Sequence, residues 1–222
     1  MRHKTKKEDE LSSFDLTAYL GTWYQVYSSS LVRGIYEQGG KTKCVRATYT
    51  SPSAYASSEI FDILNEQITP DDTIEFVEGS AQQDADRDTH FQIQFTGFSP
   101  PSSLLSHSHP PPSNNISKIE EQQRQQYRAP YWVIALGPLD PSLGQYTWSV
   151  VSGPDKMYLY ILARNVRQFL ESPDHAQVLA KVKQMGFDKP WNEPQRTNQP
   201  EDCPMLYLDS STPRQLFAPF DL

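Results

Sequence analysis

Residues His90-Phe91-Gln92-Ile93-Gln94-Phe95-Thr96 alternate between apolar and polar without a break. Side chains two apart on a strand share a face, so Phe91, Ile93 and Phe95 fall on one side and Gln92 and Gln94 on the other. Similar but shorter patterns run over Trp23–Ser28, Cys44–Thr50, Glu59–Asn65, Thr73–Gly79, Tyr131–Leu136, Tyr146–Val151 and Met157–Arg164. Eight short strands joined by local loops predict an antiparallel, all-β sheet. A parallel one needs helical crossovers that this chain does not offer. The best hairpin is the pair flanking Ser152-Gly153-Pro154-Asp155-Lys156, where Gly-Pro-Asp supplies turn chemistry.

One helix follows the strands. Ser172 stands at its N-cap, Pro173 at its first position and Asp174 in its first turn. Ala176, Leu179 and Val182 make one side apolar, and Gly186 ends it as a C′ glycine does. A shorter helical turn is expected within Ser12–Leu20, where Phe14, Leu16 and Tyr19 would plug one end of the sheet.

The rhythm breaks in four places. Residues 1–13 are charged and lack an apolar stretch, so they predict a disordered tail and no signal peptide as written. Ser29–Lys43, with Gly34, Gly39 and Gly40, is too long for a tight hairpin; a lid and a plain surface connection are both open readings. Residues 99–129 carry Pro100-Pro101, His107-Ser108-His109-Pro110-Pro111-Pro112 and a Glu/Gln-rich end. Proline removes ladder donors, so this composition predicts a disordered insertion inside a domain spanning 14–205. Residues 206–222 predict a loose tail.

Composition narrows the chemistry. The formal charge of −7 argues against a nucleic-acid surface, which needs clustered Lys and Arg. There is no nucleophile elbow, phosphate loop or zinc-protease motif, and His107 with His109 is weak evidence for metal. Neither catalytic residues, a metal site nor a cofactor is expected. The chain has only two cysteines, Cys44 and Cys203, which by themselves are two unrelated thiols or a pair.

Gly21-Thr22-Trp23 opens the first strand, and Arg164 ends the last. A guanidinium over an indole is favourable, but an ordinary buried Trp and an ordinary surface Arg fit these residues too. Between them lie Cys44-Val45-Arg46-Ala47-Thr48-Tyr49, Pro130-Tyr131-Trp132-Val133-Ile134-Ala135-Leu136 and Tyr160-Ile161-Leu162-Ala163-Arg164-Asn165. In this order the four motifs resemble the lipocalins, most nearly the apolipoprotein D and bacterial outer-membrane lipocalin branch.

That resemblance implies an eight-stranded up-and-down barrel with a C-terminal helix packed outside and a small apolar ligand within. It places Gly21, Trp23 and Arg164 at the closed end as structural residues, and it implies a Cys44–Cys203 disulfide. It puts Phe61, Ile63, Asn65 and Gln67 in the cavity, the last two as polar anchors near the mouth. With Arg164 fixed against Trp23, parity turns Tyr158 and Tyr160 inward, and Phe91, Ile93 and Phe95 complete the expected wall. Tyr160 stands where close relatives carry Trp, which adds a hydrogen-bond donor to the pocket.

The function expected is carriage of a fatty acid, lysolipid, sterol-like or retinoid-like molecule, with peripheral membrane contact during loading. Three alternatives stand beside it: a barrel filled by its own aromatics, a thiol isomerase using Cys44, and an interaction module built on the 99–129 insertion. A xanthophyll-type redox enzyme lacks its cysteine-rich appendages here. The cysteine pair points to the secretory pathway and the missing signal to the cytoplasm; the sequence sets no oligomeric state.

Overall fold

The computed structural model describes residues 14–52, 59–96, 128–203 and 214–216, the last three by backbone alone. In chain order the elements are α1 (Leu16–Tyr19), β1 (Gly21–Ser29), α2 (Ser30–Ile35), β2 (Lys43–Thr50), β3 (Ile60–Ile68), β4 (Ile74–Asp84) and β5 (Arg87–Phe95). There follow β6 (Ala129–Leu136), β7 (Trp148–Ser152), β8 (Leu159–Ala163), α3 (Val166–Glu171), α4 (Pro173–Gln184), β9 (Pro194–Arg196) and β10 (Arg214–Leu216). The tail expected over 1–13 and nearly all of the 99–129 insertion lie outside the described residues. So does the 206–222 tail, apart from β10.

The eight strands β1 to β8 pair antiparallel with their neighbours, β8 returns to β1, and β4–β5 pairing completes a closed barrel. Closure leaves no barrel strand with a free edge. β9 lies along the end of β1, and β10 runs parallel to the start of β4. Cys44 and Cys203 form a disulfide, with Cα atoms 5.5 Å apart, that ties the C-terminal segment to β2. No helix among the described residues is long and apolar enough to cross a membrane.

Period-2 alternation makes two cores. The inner one gathers Trp23, Tyr49, Phe61, Ile63, Phe91, Ile93, Tyr131, Val151 and Leu162 inside the barrel. The outer one packs Val26, Val150, Ile161 and Ala163 against Val178 and Val182 of α4 and Phe169 of α3. A register shift in β1 between Gln25 and Tyr27 lets both Val26 and Tyr27 face the helix side. Asp174 at the start of α4 accepts from the Trp148 indole at 2.9 Å, which anchors the helix on the barrel wall.

Several boundaries differ from the sequence pattern. β4 continues to Asp84, past Gly79, because that glycine sits on the inner face opposite Phe95. A Cβ there would lie 2.8 Å from the Phe95 ring. The 29–43 connection contains α2, capped by the Ser29 hydroxyl. Tyr146 precedes β7 and bridges to Leu139 instead of starting the strand. Ser172 is the α4 N-cap residue, but its hydroxyl donates back to Phe169 O at 2.7 Å, since α3 ends immediately before it.

Candidate functional site

At the closed end, Trp23 is fully buried and donates its indole N–H to Tyr19 O at 2.9 Å. The Arg164 guanidinium lies 3.6 Å from the Trp23 ring. It also donates to the carbonyls of Leu20 (2.7 Å), Thr22 (2.8 Å) and Tyr19 (2.9 Å), which otherwise terminate α1 and open β1. Burial lowers the Arg164 pKa to about 10, with the buried tyrosines opposing that shift. Gly21 is required here: its φ is +100°, and a Cβ would stand 3.2 Å from Arg164 Nη1. The guanidinium of Arg164 thus stacks on Trp23, beside Gly21.

Above this floor the barrel is filled with rings. Phe61 meets Phe91 at 5.1 Å and Tyr49 at 5.0 Å between centroids, and Phe14 reaches in to 5.7 Å from Phe91. Three phenols meet among them. Tyr131 Oη lies 2.6 Å from Tyr19 Oη and 2.9 Å from Tyr49 Oη, and Tyr19 Oη is 3.2 Å from Ser149 Oγ. Burial pushes Tyr19 up to about 12 and raises Tyr49 and Tyr131 further, so all three are neutral hydroxyls at ordinary pH.

Toward the mouth the wall is different. Ile63 and Ile93 are covered, but Phe95, Asn65, Tyr158 and Tyr160 are only partly so. The Tyr158 and Tyr160 rings lie 5.9 Å apart, and the Tyr158 hydroxyl donates to Pro130 O. Tyr160 is partly uncovered, and burial and then Tyr36, Tyr158 and Glu37 raise its pKa. Gln67 is buried, and its amide donates to Tyr36 O at 3.0 Å and to Glu75 at 2.8 Å. An open cleft of about 220 Å³ at the rim is lined by Gln38, Thr69, Pro70, Asp71, Thr73 and Glu75.

Of the nine expected wall residues, Phe61, Ile63, Phe91 and Ile93 belong to the inner cluster, and Phe95 and Tyr160 pack against it. Phe61 and Phe91 pack ring to ring and are fully buried, while Phe95, Asn65, Tyr158 and Tyr160 stay partly exposed. The sequence reading missed Tyr19, Tyr49 and Tyr131 as a group, although Tyr49 shares its face with Ala47 and Tyr131 with Val133. It also missed Gln25, which alternation from Trp23 turns inward, Ser28, which the β1 bulge turns inward, and Glu37, which a loop brings to Gln25.

Both cysteines of the chain are in the bridge, so Cys44 holds no thiol for isomerisation. Among the described residues, no group of three or more His, Cys, Asp or Glu is arranged to hold a metal ion.

A closed eight-stranded antiparallel barrel with a helix packed outside and an Arg–Trp pair at its closed end defines a lipocalin-type architecture. The family model for a lipocalin-like domain matches residues 117–192. Apolipoprotein D of Mus musculus is 30% identical over 90 residues, which is 40% of this chain and 42% of that protein. The match therefore spans less than half of this curated relative. Fold, motifs and these two matches support the lipocalin family for this chain. Among solved structures, lobster apocrustacyanin A1 is similar at a TM-score of 0.47 and 16% identity, over 85% of this chain and 81% of that one. Japanin from Rhipicephalus appendiculatus, in a structure bound to cholesterol, has a TM-score of 0.45 and 9% identity, over 85% of this chain and 98% of that one.

Proposed function

We propose that the upper half of the barrel binds and carries one small hydrophobic molecule of the fatty-acid, lysolipid, sterol or retinoid kind. The observation that carries this is the contrast within one inner wall: aromatics pack the closed half solid, whereas Phe95, Tyr158 and Tyr160 stay partly uncovered near the mouth. An apolar recess with few polar groups suits such a ligand. Burying ~300 Å² of apolar ligand surface would contribute roughly 7 kcal/mol before association costs.

The disulfide favours an oxidising compartment, and hence the secretory pathway or the extracellular space. Peripheral contact with a membrane would let the mouth load and unload its lipid. Interaction through the 99–129 insertion is the competing reading; a carrier loses ligand when its cavity is blocked and keeps it when the insertion is deleted.

The test is titration of a fluorescent fatty acid and a fluorescent retinoid against wild type and Phe95→Arg. An unpaired guanidinium in the recess should abolish binding. Undiminished affinity in a folded variant would remove the upper recess as the ligand site.

A further inference from the structure

Four buried side-chain polar atoms among the described residues lack a hydrogen-bond partner: Ser28 Oγ, Glu37 Oε2, Thr42 Oγ1 and Trp132 Nε1. Buried polar groups are nearly always paired, so each orphan invites a question about what belongs beside it. Two of the four can be placed on the mouth-side inner wall: Ser28 lies opposite Tyr160, and Glu37 is bonded to Gln25, three residues before Ser28. Gln25 in turn lies opposite Leu162. Leu162 and Tyr160 belong to the inner core, and directly opposed residues share a face, so Gln25 and Ser28 face inward as well.

Gln25 Nε2 donates to Glu37 Oε1 at 2.7 Å and to Thr197 Oγ1 at 2.8 Å, which fixes the carboxylate from the barrel side. Glu37 is only 2% exposed. It joins no ion pair among the described residues, and its second oxygen is the unpartnered one. The loop that carries it is tied to the barrel by Gln67 on β3, which donates to Tyr36 O, and is closed on itself by Gly40 N and Lys41 N, which donate to Glu37 O. Its carboxyl group lies close enough to Tyr160 to help raise that phenol's pKa. A buried carboxylate with a single neutral donor and no cation is costly. Phenol rings, with their negative faces, suit a cation in the same space.

We infer that Glu37 and Ser28 form a head-group subsite beneath the mouth for a protonated amine, so that among single-chain ligands the barrel prefers a long-chain amine to a fatty acid. This rests on the carrier reading above and sharpens it. The ammonium donates to Glu37 Oε2 and Ser28 Oγ beside Tyr160, and the alkyl chain descends past Phe95 toward Ile63 and Ile93. A fatty-acid carboxylate in that position meets the like charge of Glu37, with the Ser28 hydroxyl as donor in place of a cation.

Isothermal titration of wild type and Glu37→Gln with dodecylamine, dodecanoate and dodecanol near pH 7, below their aggregation limits, tests this. The amide is isosteric and still accepts from Gln25. In wild type, dodecylamine should bind at least about tenfold more tightly than dodecanoate, a modest demand for a buried charge pair. In Glu37→Gln that ratio should collapse to within about twofold, with dodecanol nearly unchanged. Equal or tighter dodecanoate binding in wild type overturns the inference, as does an undiminished ratio in the variant. Should the variant fail to fold, the wild-type order of amine and acid decides alone. Dodecanol binding without amine preference would defeat only the head-group subsite, whereas no binding of any of the three would defeat the carrier reading with it.

Discussion

Replacing Tyr131 by Phe removes one oxygen from the middle of the barrel and leaves the ring packing in place. That oxygen is the hub of the buried hydroxyl group, 2.6 Å from Tyr19 Oη and 2.9 Å from Tyr49 Oη. Tyr19 keeps a second partner in Ser149 Oγ at 3.2 Å, but Tyr49 has none among the described residues. Two lost hydrogen bonds at ~1 kcal/mol each, plus ~1–2 kcal/mol for stranding the Tyr49 hydroxyl, predict a destabilisation of roughly 3–4 kcal/mol. Tyr49→Phe removes a single bond and strands nothing, because Tyr131 retains Tyr19; its cost should be about 1 kcal/mol. In the double variant the stranded hydroxyl is gone and the shared Tyr131–Tyr49 bond is lost once, not twice, so the two losses should fall short of additive by about 2–3 kcal/mol. Urea denaturation followed by tryptophan fluorescence gives all three values, provided the slopes agree. The reasoning is refuted if Tyr131→Phe unfolds within ~0.5 kcal/mol of wild type, or if Tyr49→Phe costs more than Tyr131→Phe.

Trp23→Ala should cost ~3–5 kcal/mol, since it empties a fully buried indole site and leaves Arg164 without its ring; an unchanged denaturant midpoint would contradict the closed-end packing. Cys203→Ser opens a loop spanning 159 residues and should lower stability by up to about 5 kcal/mol in the chain-entropy limit. Denatured, unreduced protein made in an oxidising host should correspondingly titrate with no free thiol. The Tyr19 pKa is raised from 10 to about 12, so the folded state holds a proton that the unfolded chain releases over that interval. Stability should be intact below pH 10 and fall by roughly 3 kcal/mol toward pH 12 from this group alone, with phenolate absorbance appearing together with unfolding. Phenolate titrating freely near pH 10 from all tyrosines in the folded protein would contradict the buried network.

Much of the fold is written in local pattern. Phe91-Gln92-Ile93-Gln94-Phe95 had one possible division of faces, and the barrel keeps it. Phe61 and Ile63 follow the same rule, because two-residue periodicity is a property of the strand itself and needs no partner. The Ser172-Pro173-Asp174 start of α4 is equally local, although its capping hydrogen bond is not: the neighbouring α3 draws the Ser172 hydroxyl to Phe169 O. The Cys44–Cys203 bridge and the Arg164–Trp23 stack were legible only through the resemblance of four motifs, since nothing local says which distant residues meet.

Only the tertiary structure decided how far along the barrel each inner residue sits. Phe61 and Phe91 share the expected wall with Phe95 and Tyr160, but strand register and closure through β4–β5 place the first pair in the filled half. The same register brings three phenols from α1, β2 and β6 into contact, although Tyr19 and Tyr131 are 112 residues apart. Ser28 faces inward only because the register shifts between Gln25 and Tyr27, and Glu37 reaches Gln25 only because its loop folds back over the mouth. Alternation sets a side chain's direction from its own backbone. Its depth and its neighbours come from pairings between strands distant in sequence, which no single stretch of the chain encodes.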